Sequence, residues 1–134
     1  MSGAKRIRLS RARGWRLPAG AVSVARPTRW GNPFGLGRMT GRDDPLRPYL
    51  DAAVLGVTGV DASAYDTITP ATRVVAVEAY RAWLTDQPEL RAAAGRELAG
   101  RVLACWCPLP TEGEPDVCHA AELLRVASDQ ETGR

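Results

Sequence analysis

The stretch RVLACWCP at residues 101–108 decides the fold of this 134-residue chain. It is an apolar run that Gly100 precedes and Pro108 closes, which is typical of a buried strand. Because side chains alternate along a strand, Cys105 and Cys107 are expected on one face and Trp106 on the other. The stretch therefore predicts a strand that brings two thiols to the same side of a sheet.

Working outward, two upstream segments alternate apolar and other residues and predict further strands, at residues 6–9 and 21–26. We expect these two strands to pair with each other. Apolar periodicity predicts four helices, at residues 48–57, 70–84, 88–99 and 116–128. If strands 21–26 and 101–106 are parallel, both end at the edge where open α/β sheets place their ligands. The sequence thus predicts an α/β fold, a small single-domain sheet of about three strands flanked by helices, with a parallel crossover.

Length and composition predict one domain over residues 1–134, with an ordered core at about 6–128, a short basic N-terminal arm and a polar C-terminal tail. No apolar run reaches the roughly 18 residues of a membrane span, and the N-terminus lacks the apolar segment of a secretory signal. The three cysteines lie close together, between residues 105 and 118. This spacing is typical of thiols used as ligands or reactants in a reducing compartment, so we expect a cytoplasmic protein without a membrane partner.

Charge is segregated along the chain. Residues 1–47 carry 11 basic and 2 acidic side chains, a balance of +9, whereas residues 48–134 carry 7 basic and 13 acidic ones, a balance of −6. A basic half predicts an anionic partner, a nucleotide or a nucleic acid, although a solvated basic face gives the same pattern.

A cysteine–histidine cluster is the first candidate site, made of Cys105, Cys107, Cys118 and His119. Three thiolates and one imidazole match the tetrahedral ligand set of zinc. Successive residues of a helix diverge by about 100°, which argues against Cys118 and His119 reaching one ion. If only the cysteines bind, a fourth position is open, as in a catalytic zinc site or an iron–sulfur cluster with one exposed iron.

Two other interpretations of the cluster stay open. Cys118 at a helix N-terminus is a possible nucleophile, with His119 as its base, because the helix terminus lowers a thiol pKa. The cysteines are alternatively small core residues, which is a common fate of free cysteine.

The second candidate site is the loop from Arg26 to Phe34. Arg26 and Arg29 are predicted to bind phosphate, because guanidinium groups contact it at two points, and Trp30 to stack on a base. Asn32 is a further predicted phosphate contact.

The same loop also allows structural roles. Gly31 permits close backbone approach or a positive φ, and Asn32 alternatively caps a turn. Trp30 and Phe34 are alternatively core residues, and for Phe34 the core is the expectation.

Three motifs in order, RPTRWGNPF, AYRAWL and LACWCPL followed by CHAAELL, resemble an uncharacterised bacterial and phage family called domain of unknown function 4326. The resemblance spans roughly Val22 to Val126. It implies a small α/β domain and no established activity. Residues that match its motifs are Arg26, Trp30, Gly31, Asn32, Pro33, Cys105, Cys107, Cys118 and His119.

The leading hypothesis is a zinc-binding α/β protein that binds a nucleotide or nucleic-acid phosphate. Any catalysis is expected to be hydrolysis or group transfer on a nucleotide-like substrate, with zinc activating a water. The alternatives are a non-catalytic DNA- or RNA-binding module with a structural zinc, and a metal-free thiol enzyme using Cys118.

Overall fold

The computed structural model describes residues 5–26, 28–34, 45–56, 70–114 and 116–132. Within these residues it contains three strands and four helices. They are β1 (Lys5–Arg8), β2 (Val22–Ser23), α1 (Arg47–Leu55), α2 (Pro70–Thr85), α3 (Pro88–Glu97), β3 (Val102–Cys105) and α4 (His119–Thr132). The first four residues of the predicted N-terminal arm lie outside the described residues.

The chain divides into two compact units. The first unit comprises residues 1–31 and 88–134, and therefore holds the sheet with α3 and α4. The second unit comprises residues 32–87 and holds α1 and α2. A single domain over the whole chain stays a prediction.

The sheet of the first unit has the order β1–β3–β2, and both of its pairs are parallel. Lys5 lies opposite Val102 and Val22 opposite Leu103. The predicted α/β fold with a parallel crossover is confirmed. The predicted pairing of the two upstream strands is wrong, because β3 lies between them. Most of β3 is buried and it is bonded along both sides, whereas the charged sequence KRIR suits β1 to an edge.

Helix α4 begins later and ends later than the sequence pattern predicts. Cys118 precedes it as the N-cap, since its Sγ accepts a hydrogen bond from the Ala120 N–H (3.4 Å) and its carbonyl accepts one from the Ala121 N–H (3.0 Å). At the other end the predicted polar tail is helical through Thr132. Arg125 pairs with Asp129 one turn further on (3.5 Å), which supports helix beyond residue 128.

In the second unit, α1 and α2 pack together around Leu50, Val75, Tyr80 and Leu84, all of which are almost fully buried. Phe34 is 2 % exposed, so its expected place in the core is confirmed. Among the described residues, no helix has both the length and the apolar character needed to cross a membrane.

Candidate metal centre

Three side chains of the predicted cysteine–histidine cluster, those of Cys105, Cys118 and His119, converge in the first unit, and Cys107 lies next to Cys105. The Cys105 Sγ lies 3.8 Å from the Cys107 Sγ and 3.8 Å from the His119 Nδ1. The Cys118 Sγ lies 3.9 Å from the same Nδ1. One ligand atom from each of Cys105, Cys118 and His119 lies within 4.8 Å of the others, and all three residues are buried. Cys107 is half-buried.

Local backbone geometry explains how these residues converge. Cys105 ends β3, and the alternation of the extended chain places Cys107 on the same side. Cys118 lies before the first residue of α4, so the rotation of about 100° between successive helical residues does not separate it from His119. The expectation that helix geometry keeps Cys118 and His119 from reaching one ion is therefore wrong.

A backbone carbonyl sets the orientation of the His119 ring. The His119 Nε2 lies 2.7 Å from the carbonyl oxygen of Val24, the residue after β2. A carbonyl only accepts hydrogen bonds, so Nε2 carries the proton and donates it. In the neutral ring, Nδ1 then faces the sulfurs with a lone pair. A ring nitrogen that donates to a backbone carbonyl is the usual arrangement of a metal-bound histidine.

The pKa values of the three thiols are shifted in different directions. Hydrogen bonding with Cys107 and then with Cys118 lowers the pKa of Cys105. Hydrogen bonding with Cys105 raises the pKa of Cys107 and of Cys118, and burial raises both further. A divalent cation would favour deprotonation of all three cysteines, because thiolates are its ligands.

The donor set fits zinc. Two sulfurs held about 2.3 Å from one ion at the tetrahedral angle lie about 3.8 Å apart. The Cys105 and Cys107 sulfurs have this separation. The distances from the His119 Nδ1 to the Cys105 and Cys118 sulfurs need to shorten by only a few tenths of an ångström for a common ion. Three sulfurs and one imidazole nitrogen are the ligands that zinc prefers.

The arginines of the predicted phosphate-binding loop differ in their surroundings. Arg29 forms an exposed ion pair with Glu97, and its guanidinium lies 4.5 Å from the ring centroid of Trp30. Trp30 is only 5 % exposed. Arg26 is exposed and forms no ion pair within the part of the chain that the structure describes. Phosphate binding by Arg26 and Arg29 stays a prediction, and so does the stacking of Trp30 on a base.

Two tight turns shape this loop. The Thr28 N–H donates to the Ala25 carbonyl and the Gly31 N–H to the Thr28 carbonyl, each at 3.0 Å. A Cβ on Gly31 would lie 2.7 Å from the Arg26 Cγ and 2.9 Å from its Cα. The sequence offered two reasons for a glycine here, a positive φ and a close backbone approach. Gly31 is not among the positive-φ glycines of the described residues, so the close approach is the reason that applies.

Asn32 belongs to the second unit, where both ends of its amide are used. Its Nδ2 donates to the Ala76 carbonyl of α2 (3.1 Å), and its Oδ1 accepts from the Phe34 N–H (2.8 Å). This is the turn-capping alternative. The predicted phosphate contact of Asn32 stays a prediction.

The model of a family described as a domain of unknown function (DUF4326) matches residues 7–129. This chain belongs to the DUF4326 family. No curated protein and no solved structure matches it. The matched range includes all four residues of the cysteine–histidine cluster.

Sequence analysis of this DUF4326 chain missed Arg6 as a functional residue. Its side chain is 2 % exposed and pairs with Asp116, two residues before Cys118. The Arg6 Nη1 also donates to the carbonyl of Cys107 (3.0 Å), and its Nη2 donates to that of Pro108 (2.9 Å). Burial alone would lower the pKa of Arg6, but the hydrogen bond to Asp116 and the charges of Cys118, Asp116 and Cys107 raise it.

Arg6 thus braces two segments of this chain that carry cluster residues, one after β3 and one before α4. A charged residue in an edge strand carries no sequence signal of this role. The Asp116 side chain is only 24 % exposed, and the ion pair with Arg6 holds its carboxylate in place.

Proposed function

We propose that this DUF4326 domain binds one zinc ion through Cys105, Cys107, Cys118 and His119, and that the ion is structural. The observation that carries the proposal is the hydrogen bond from the His119 Nε2 to the Val24 carbonyl, which directs Nδ1 at the sulfurs. Four protein ligands complete a tetrahedron and leave no position for a catalytic water. A bound zinc supplies folding free energy, because it joins the end of β3 to the start of α4.

Two observations favour zinc over the alternatives for the cluster. Each thiolate of a [4Fe–4S] cluster binds a different iron, which holds the sulfurs further apart than atoms of one coordination shell. The 3.8 Å between the Cys105 and Cys107 sulfurs favours a single ion. Cys118 is fully buried and its pKa is raised, both of which disfavour a nucleophile. Catalytic roles for Cys118 and His119 stay predictions.

We further propose that the domain binds nucleotide or nucleic-acid phosphate without catalysis. The support is the charge balance of +9 over residues 1–47. A compositional preference for arginine over lysine does not explain why the positive charges are concentrated in this part of the chain. A hydrolase or transferase acting through zinc would need an open coordination position, and the four ligands proposed for the zinc would leave none.

Elemental analysis of the chain purified without chelator tests the metal proposal. We expect about one zinc per chain, lost in C107S and H119A. A matched control is L123A, which removes a buried side chain of α4 that is not a ligand. This variant should be less stable but keep its zinc while folded.

Chelation should also lower the melting temperature of the wild-type chain, because zinc binding and folding are linked. A folded chain without metal would overturn the proposal, and so would stoichiometric iron with visible colour.

A further inference from the structure

The first unit carries a second cluster of basic and aromatic side chains outside the metal centre. The Arg11 guanidinium lies 4.6 Å from the ring centroid of Trp106, and the Arg8 Nε donates to the Trp106 carbonyl (3.3 Å). Its members are exposed side chains of one N-terminal segment and of the residue after β3. We call them the arginine–tryptophan surface: Arg8, Arg11, Arg13, Trp15, Arg16 and Trp106.

Hydrogen bonds order the segment that carries this surface. The Ser10 Oγ accepts from the Ala12 N–H (2.9 Å), and the Ala12 carbonyl accepts from the Trp15 N–H (3.0 Å). Gly14 adopts φ +84°, which a glycine takes without strain. The turn thus joins Trp15 to Arg11, four residues earlier in the sequence, and the Arg11 guanidinium contacts the Trp106 ring.

The positive charge of the surface is uncompensated. Residues 5–26 contain no aspartate or glutamate. Within the described ranges, the ion pairs involve other arginines, as with Arg47 and Asp51 on α1 or Arg125 and Glu122 on α4, and none involves an arginine of this surface. Phosphate oxygens would therefore meet guanidinium groups without competition from a carboxylate.

We infer that the arginine–tryptophan surface binds single-stranded nucleic acid. This inference rests on the phosphate-binding part of the proposed function and is independent of zinc. Guanidinium groups bind the phosphate backbone, and exposed indoles stack on unpaired bases. Trp106 is 42 % exposed and Trp15 36 %, so both rings retain accessible area for a base.

The composition of the surface favours this ligand over two others. The bases of a duplex are already stacked on each other, and the surface consists of a turn and a strand end rather than a helix that could enter a groove. An interfacial membrane segment separates an apolar face from a basic one. Here Trp15 lies between Arg13 and Arg16 in the sequence, and Arg11 lies over the Trp106 ring.

Fluorescence anisotropy of labelled oligonucleotides tests the inference on the full chain. The probes are an oligothymidylate, an oligouridylate, a DNA duplex of equal length and vesicles of phosphatidylcholine with phosphatidylserine. The variants are W106A, W15A and R13E, and the matched control is R96E, which reverses an exposed arginine of α3. Trp15 and Arg13 are included because Trp106 lies between two zinc ligands.

We expect a single-stranded probe to bind more tightly than the duplex. W106A and W15A should weaken single-strand binding about tenfold, because each removes a stacking platform. R13E should do the same and should reduce the slope of log affinity against log salt by about one. R96E should keep nearly the wild-type affinity.

Several results would overturn the inference: equal losses in R13E and R96E, duplex binding that W106A leaves unchanged, binding to vesicles alone, or no binding at low salt. Zinc content is measured on the same samples. A zinc-free chain that shows the expected variant pattern supports the inference while overturning the metal proposal. A zinc-loaded folded chain that ignores all probes overturns the inference alone.

Discussion

The guanidinium of Arg6 and the carboxylate of Asp116 form a two-point ion pair, with Nε 2.7 Å from Oδ2 and Nη2 2.6 Å from Oδ1. The pair joins β1 to the segment that leads into Cys118. Because Arg6 also donates to the Cys107 carbonyl, one side chain holds both halves of the cysteine–histidine cluster. A planar guanidinium suits this task, since it donates in several fixed directions at once.

We expect D116N to lower the free energy of unfolding by about 3 kcal/mol, because it leaves the buried Arg6 charge without a counter-charge. It should also weaken zinc binding about 10- to 100-fold, as changes next to metal ligands do. Chemical denaturation and competition with a zinc chelator measure the two effects.

The matched control is D129N, which removes the exposed pair between Asp129 and Arg125. It should cost less than about 1 kcal/mol and leave zinc affinity unchanged. Equal effects in D116N and D129N would show that the Arg6 pair does not brace the metal centre.

G31A tests the close approach of the loop backbone to Arg26. The added Cβ would lie 2.9 Å from the Arg26 N and Cα, and backbone atoms cannot move away cheaply. We expect a loss of about 2 kcal/mol on denaturation, in the range of overpacked sites. G56A is the control, because its nearest neighbour is the Ala53 carbonyl oxygen at an ordinary 3.7 Å. A G31A chain as stable as G56A would contradict this packing.

N32A separates the two roles predicted for Asn32. It removes the hydrogen bonds to the Ala76 carbonyl and the Phe34 N–H, so we expect a loss of about 2 kcal/mol in unfolding free energy with nucleic-acid affinity unchanged. Q87A, in the same unit, should change stability by less than about 0.5 kcal/mol, because the Gln87 side chain makes no hydrogen bond within the described residues. Lost affinity at unchanged stability would instead assign Asn32 to the ligand.

Local periodicity was the part of the sequence that predicted structure well. The two-residue alternation of a strand places Cys105 and Cys107 together, and their sulfurs are indeed 3.8 Å apart. Apolar spacing likewise located α2, α3 and β3 to within a few residues. These patterns depend on neighbours in the chain, which a sequence displays directly.

The sequence predicted the exact ends of helices and the pairing of strands less well. A shift of one residue in the start of α4 would make Cys118 helical instead of the N-cap. This small difference decides whether the Cys118 and His119 side chains converge. The strand order placed β3 in the centre, and no pattern within residues 6–26 indicates that order.

The sequence by itself determined the fold class, the donor types of the candidate metal centre and the excess of positive charge near the N-terminus, because these depend on composition and short-range spacing. Tertiary structure alone decided that the Val24 carbonyl orients His119 and that Arg6 holds Asp116. Both contacts join residues about 100 positions apart, and such a contact exists only once the sheet has brought the ends of its strands to one edge.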